Sequence, residues 1–261
     1  MVPSGPVPGF SVPGFSARVL GTLVHCGAMP ELISVFTIAA DELGGRSKGR
    51  LHTCGPPPDA GFPDRLVQHK NYRGFSYEEN HLEEWIARQP SSLFGGTPVL
   101  LLASQNYVHL RAKIDLLFVD MGCRLFPTEL KVVRVAKNGG IVPYDLYERQ
   151  MKPYAEYLKD IPDVNAFNSQ YVRFTTAFNG APSTVAEAFT ATFGGPPSDT
   201  LAFPVCEIYV AEEFDAYALD YFASHSTEQK RVVRLISYKF FPKQNYIEFW
   251  KVYETPQEEW K

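Results

Sequence analysis

The stretch KIDLLFVDMGCRLFPTELK, from Lys113 to Lys131, sets three charged groups, Asp115, Glu129 and Lys131, inside what otherwise reads as two buried strands. A charge among apolar side chains must be paired, hydrogen-bonded or metal-bound to be tolerated. Residues 114–119 and 124–133 read as the arms of a hairpin about Asp120, Met121 and Gly122. If the chain turns about Gly122, residues whose numbers sum to 244 face each other, and Asp115 lies opposite Glu129. Glu129 and Lys131, two apart on one strand, share a sheet face. Asp120 belongs to the turn, where aspartate favours local hydrogen bonds, and is not expected to be a ligand.

Two carboxylates at that separation repel unless a cation lies between them. Hard divalent ions such as Mg²⁺ or Mn²⁺ take such oxygens together with water and substrate phosphate. A lysine beside the ion can position or help deprotonate the attacking water, or stabilise negative charge on a phosphate. The pattern points to metal-dependent phosphodiester hydrolysis.

The flanking segments suit that reading. Residues 76–90, SYEENHLEEWIARQP, read as a helix with Ser76 as N-cap, Glu79 as its capping-box acid and Pro90 at its end. Glu79 also shares a helix face with Leu82 and Ile86, so it can reach inward toward a metal as well as cap. An apolar run over 99–103 reads as a strand. Residues 143–160 read as a second helix with a stripe at Leu146, Tyr154 and Leu158 and with Pro153 inside it. On it Gln150 and Tyr154 stand one turn apart, where an amide and a phenol can hold a substrate or order the lysine; a surface amide and a core tyrosine are the plainer alternatives. Beyond it, residues 171–179, 203–211, 233–241 and 246–253 read as strands, with a helix over 212–225. The class is mixed α/β.

ENHLEEWIARQP resembles the glutamate-bearing helix of NucS-like endonucleases, KIDLLFVDMGCRLFPTELK their IDLL and ELK strands, and QMKPY the QxxxY helix of RecB-type nucleases. Together these resemble the PD-(D/E)XK nuclease superfamily over residues 76–158. The resemblance implies a restriction-endonuclease-like mixed sheet flanked by helices. It makes Asp115 and Glu129 metal ligands, Glu79 a helix-borne acid near the metal, Lys131 the catalytic lysine, and Gln150 and Tyr154 accessory site residues. The implied activity is a Mg²⁺- or Mn²⁺-dependent endonuclease acting on DNA, with RNA left open as substrate and a homodimer as an allowed assembly. A catalytically inactive nuclease-fold module binding nucleic acid or protein is the alternative, and a defence nuclease of Shedu type, regulated by its N-terminal segment, is a third.

Lys113, Arg134, Lys137, Arg149 and Lys152 cluster in sequence around this core and suit a phosphate backbone, as does Lys159, although a solvated helix face explains them equally well. The whole chain, with a net charge of −4, carries no global basic signature. No GxSxG or phosphate-cradling glycine loop is present, and His81, His109 and His225 stand at no triad or ligand spacing, which removes support for hydrolase triads and nucleotide-binding motifs.

At 261 residues and 45% hydrophobic, the chain can bury one large core. Residues 1–70 read as a Pro/Gly-rich arm and a small N-terminal segment, and 71–261 as the nuclease-like domain. Within the first part, residues 17–43 supply two strands or a strand and a helix. The start of the chain lacks the basic and apolar regions of a secretory signal, and no run reaches the roughly 18 apolar residues of a membrane span. Four scattered cysteines suit buried thiols in a reducing compartment, and His25, Cys26, His52 and Cys54 do not have zinc-knuckle spacing. The expectation is a soluble cytoplasmic protein with no membrane partner.

Overall fold

The computed structural model describes residues 30–38, 51–53, 79–108, 112–131, 144–176, 184–214, 216–229, 231–241 and 246–256. Along the chain these form β1 (Glu31–Ile38), β2 (Leu51–Thr53), α1 (Glu79–Arg88), β3 (Leu100–Val108), β4 (Ala112–Val119) and β5 (Leu125–Lys131). There follow α2 (Tyr144–Leu158), α3 (Asn168–Thr176), α4 (Val185–Phe193), β6 (Cys206–Ala211), α5 (Ala216–Gln229), β7 (Val232–Phe241) and β8 (Tyr246–Glu254). The strands lie in one mixed sheet in the order β2-β1-β8-β7-β6-β5-β4-β3. β5, β6 and β7 run parallel, and their outer neighbours pair antiparallel.

Side-chain direction alternates along the strands and sorts the helices onto two faces. Leu117, Val119, Leu125 and Tyr209 pack with Met151, Tyr154 and Leu158 of α2, and with Phe167, Phe189 and Phe222. Leu116, Phe118, Phe126, Leu130 and Ile208 point the other way and pack with Leu82, Trp85 and Ile86 of α1. A strand buried on both faces reads as a nearly continuous apolar run, which is why IDLLFV and CEIYVA carry so few polar residues. The α/β class with helices on both sides of a mixed sheet is thus as expected.

β1, on the N-terminal side of the boundary placed near residue 70, joins the sheet beside β8. Lys251 Nζ holds Glu31 at 2.8 Å, and Ser34 Oγ donates to the Ser92 carbonyl at 2.6 Å. The boundary itself, the Pro/Gly-rich arm, Ser76, and His25, Cys26 and Cys54 of the weighed zinc spacing lie outside the described residues; so does the His52 side chain. Cys123 and Cys206 are buried free thiols. No helix among the described residues is long and apolar enough to cross a membrane.

Two segments correct the sequence reading. Residues 171–179, expected as a strand, instead belong in their described part to α3. Tyr171 is buried, as is Phe167 just before the helix, while the adjacent Val172 is exposed, which suits a helix lying on the sheet and not the two-sided burial of a central strand. Strand preference of Tyr, Val, Phe and Thr yields to this packing. α4 was not anticipated, although Thr184 and Glu187 form a reciprocal capping box at its start and Gly194 closes it with φ 80°. Within α2, Pro153 is on the exposed side, so the helix continues through it with its buried stripe intact.

The parallel β6–β7 junction is clamped by a buried ion pair. Glu207 accepts from Arg231 Nε at 2.9 Å and from Arg231 Nη2, and the Tyr209 hydroxyl donates to it at 2.7 Å. The same guanidinium donates to the Tyr209 oxygen at 2.9 Å. Removing one partner of such a pair leaves the other charge buried. Arg231→Met is therefore expected to lower the unfolding free energy by about 3–5 kcal/mol, and Glu207→Gln in the same chain to restore much of that loss. Urea unfolding of parent, single and double variants measures both; an Arg231→Met protein as stable as its parent would show the clamp to be idle.

Candidate active site

The site begins with the turn that sets the register. Asp120 Oδ1 accepts the Arg124 N–H at 2.9 Å, the Asp120 carbonyl accepts the Cys123 N–H at 3.1 Å, and Cys123 adopts the left-handed region at φ 59°. Asp120 is thus committed to the turn. From it the ladder runs Val119–Leu125, Phe118–Phe126, Leu117–Pro127 and Leu116–Thr128, every pair summing to 244 as expected.

The next step of that register brings Asp115 to Glu129, and there the backbone ladder gives way to a side chain. Asp115 Oδ2 accepts the Leu130 N–H at 2.8 Å, taking the place of a carbonyl from a neighbouring strand. On its other edge β5 is already paired with β6, Glu129 facing Tyr209 and Lys131 facing Ala211. Asp115 therefore fills the fork where β4 leaves β5. The carboxylates are deeply placed, Asp115 at 5% and Glu129 at 0% exposure.

Lys131 supplies the counter-charge. Its ammonium donates to Glu129 Oε1 and to the Leu130 carbonyl, the latter at 2.9 Å, while its stem reaches the surface with the side chain 15% exposed. A fully buried carboxylate is tolerable on these terms. Both main-chain polar groups of Leu130 are consequently bound, its N–H by Asp115 and its C=O by Lys131.

Tyr154 of α2 completes the group that the structure brings together. It is fully buried, and its phenol is pushed well above the ordinary tyrosine range, first by burial and then by the negative charges of Glu129 and Asp115. Its hydroxyl oxygen has no hydrogen-bond partner among the described residues. The phenol therefore stays protonated at working pH and offers a proton beside two carboxylates.

The other expected site residues are placed less fully. Gln150 lies on α2 one turn before Tyr154, and Glu79 opens α1; their side chains, with those of Lys113 and Arg149, lie outside the described residues, as do Arg134 and Lys137 entirely. α1 packs on the sheet face opposite to the one that Asp115 and Glu129 share with Tyr154. The acid of α1 that is seen buried is Glu83, one turn after Glu79, with the Ser104 hydroxyl donating to it at 2.7 Å. Its signal in the sequence was its place between Leu82 and Trp85, the inward positions of the helix. Lys152 is exposed on α2, and Lys159 donates to Glu156 at 2.9 Å. Among the described residues no group of three or more His, Cys, Asp or Glu side chains stands at metal-holding spacing.

No protein-family model, no curated protein and no solved structure matches the chain.

Two variants separate structure from chemistry here. Asp115→Ala removes the acceptor of a buried N–H and is expected to lower stability by about 1–3 kcal/mol, whereas Asp115→Asn keeps a carbonyl there and loses less; equal melting temperatures for the two would remove Asp115 from the fork. Tyr154 ionises only in the unfolded chain once pH passes the ordinary value of 10.0, because its folded pKa is raised. The stability this confers is fully present below that value and is lost as pH rises above it. Between pH 8 and pH 11 the urea midpoint of the parent should fall further than that of Tyr154→Phe, and parallel falls would contradict the placement of the phenol.

Proposed function

We propose that this chain is a Mg²⁺- or Mn²⁺-dependent endodeoxyribonuclease with a restriction-endonuclease-like core, hydrolysing phosphodiester bonds with metal-activated water. The observation that carries the proposal is the fully buried Glu129 carboxylate, with the Lys131 ammonium on it and Asp115 bound to the next peptide. The hydrogen bonding of the strand fork calls for Asp115 alone, whereas phosphodiester hydrolysis uses both acids and the lysine.

The donors suit the ion. Asp115 and Glu129 would offer hard carboxylate oxygens at the strand fork, and Mg²⁺ is held by one or two carboxylates with the remaining positions left to water and phosphate. When bound, the ion supplies Lewis acidity and a water of lowered pKa. For the chain's own part, Lys131 would supply a positive charge for a phosphate oxygen, and Tyr154 stands protonated beside the acids. The parallel strands β5 and β6 end at the site, the position where open α/β sheets leave a crevice for ligands.

The inactive-module reading draws on one observation of its own. The Lys131–Glu129 pair already balances the buried charge within the chain. An activity screen of defined DNA and RNA structures, with and without Mn²⁺, separates the two. Lys131→Ala and Glu129→Gln are each expected to lower cleavage by about 10²–10³-fold, and a purified double variant that cuts like its parent would end the nuclease proposal. Regulation by the N-terminal segment is best tested by deleting residues 1–29, because β1 belongs to the sheet.

A further inference from the structure

We infer that Lys131 is the resident cation of this site: its ammonium lies on the oxygens that a divalent ion would take, so lysine and metal compete for one position and metal binding releases the lysine. The inference rests on the proposed metal site and concerns how that site is filled.

The geometry that carries it is the pair of acceptors on Lys131. Its ammonium donates to Glu129 Oε1 and to the Leu130 carbonyl, a carboxylate oxygen and a main-chain carbonyl oxygen one residue apart. Hard divalent ions choose the same two oxygen types. Asp115 accepts the Leu130 N–H at 2.8 Å and so anchors the main chain between Glu129 and that carbonyl. The strand pairing of β5 with β6 holds Glu129 and Lys131 in place from the other edge. The oxygens are thus fixed, and only the lysine head can yield.

An ammonium and a divalent ion cannot both contact one carboxylate oxygen and one carbonyl, because the two positive charges would then lie within about 4 Å of each other in a poorly solvated site. Lys131 is able to leave. Its side chain is 15% exposed and hangs on a flexible four-carbon stem at the last residue of β5, whereas Glu129 at 0% has nowhere to go. A displaced ammonium stays within a side chain's reach of the site and turns toward the phosphate side. The lysine therefore has two stations, one that keeps Glu129 neutralised when no metal is present and one that serves phosphate after metal has entered. Affinity for the ion is set below what the bare oxygens would give.

The test is calorimetric titration of Mn²⁺ into the full-length parent, Lys131→Met, Lys131→Arg and Glu129→Gln, with thermal melts as folding controls. Lys131→Met is expected to bind Mn²⁺ at least tenfold more tightly than the parent, Lys131→Arg within a few fold of it, and Glu129→Gln more weakly. Parent and Lys131→Met binding Mn²⁺ with equal affinity, or Lys131→Met more weakly, would overturn the inference and leave the metal site standing. Absence of Mn²⁺ binding in every form would overturn the metal site itself. If Lys131→Met does not fold, the parent alone decides: acetic anhydride labelling of Lys131, read by mass spectrometry, should speed up several-fold when Mn²⁺ is added, and an unchanged or slower rate counts against release.

Discussion

A fully buried carboxylate governs this part of the molecule. Glu129 sits in the middle of a sheet covered on both faces, and its charge is tolerable only because an ammonium reaches it from the strand end and a neighbouring acid organises the peptide between them. That arrangement demands a strand fork, since a continuous β4–β5 ladder would give the Leu130 N–H a carbonyl and leave Asp115 without its task. It also needs a neighbour on the other edge to hold β5 while β4 departs, a part that β6 fills.

The helices answer to the same geometry. α2 returns across the face on which Asp115 and Glu129 lie and sets Tyr154 against them, so the phenol is at once a core residue and a member of the site. α1 covers the opposite face with Leu82, Trp85 and Ile86 and buries its own acid, Glu83, against Ser104. Another buried acid, Glu207, is answered by Arg231 and Tyr209 near the start of β6. Glu207 and Glu129 differ in what faces them. Arg231 meets Glu207 in a two-toothed grip backed by a phenol, while Lys131 meets Glu129 through one ammonium that also binds the Leu130 carbonyl.

Much of the hairpin was legible because its determinants are local. Asp120, Gly122 and the short arms dictate the turn, the turn dictates the register, and the register dictates that Asp115 approaches Glu129. The segment that became α3 was misread because its β-branched and aromatic residues suit a strand equally well, and only the packing of Phe167 and Tyr171 against the sheet selects the helix. α4 carried a legible capping box in Thr184 and Glu187 that periodicity alone did not bring forward. Glu207 and Arg231 were beyond reach, since residues 24 apart meet only after β6 and β7 have paired in parallel.

By itself, then, the sequence determined the mixed α/β class, the register of the central hairpin, and the shared face of Glu129 and Lys131, all of which follow from turn chemistry and the two-residue period of a strand. Tertiary structure alone decided that Asp115 would bind a peptide N–H at a strand fork, that Lys131 would rest on Glu129 and the Leu130 carbonyl, and that Tyr154 would stand protonated beside both acids. Those outcomes depend on burial and on groups distant in sequence, and neither exists until the sheet has closed over them.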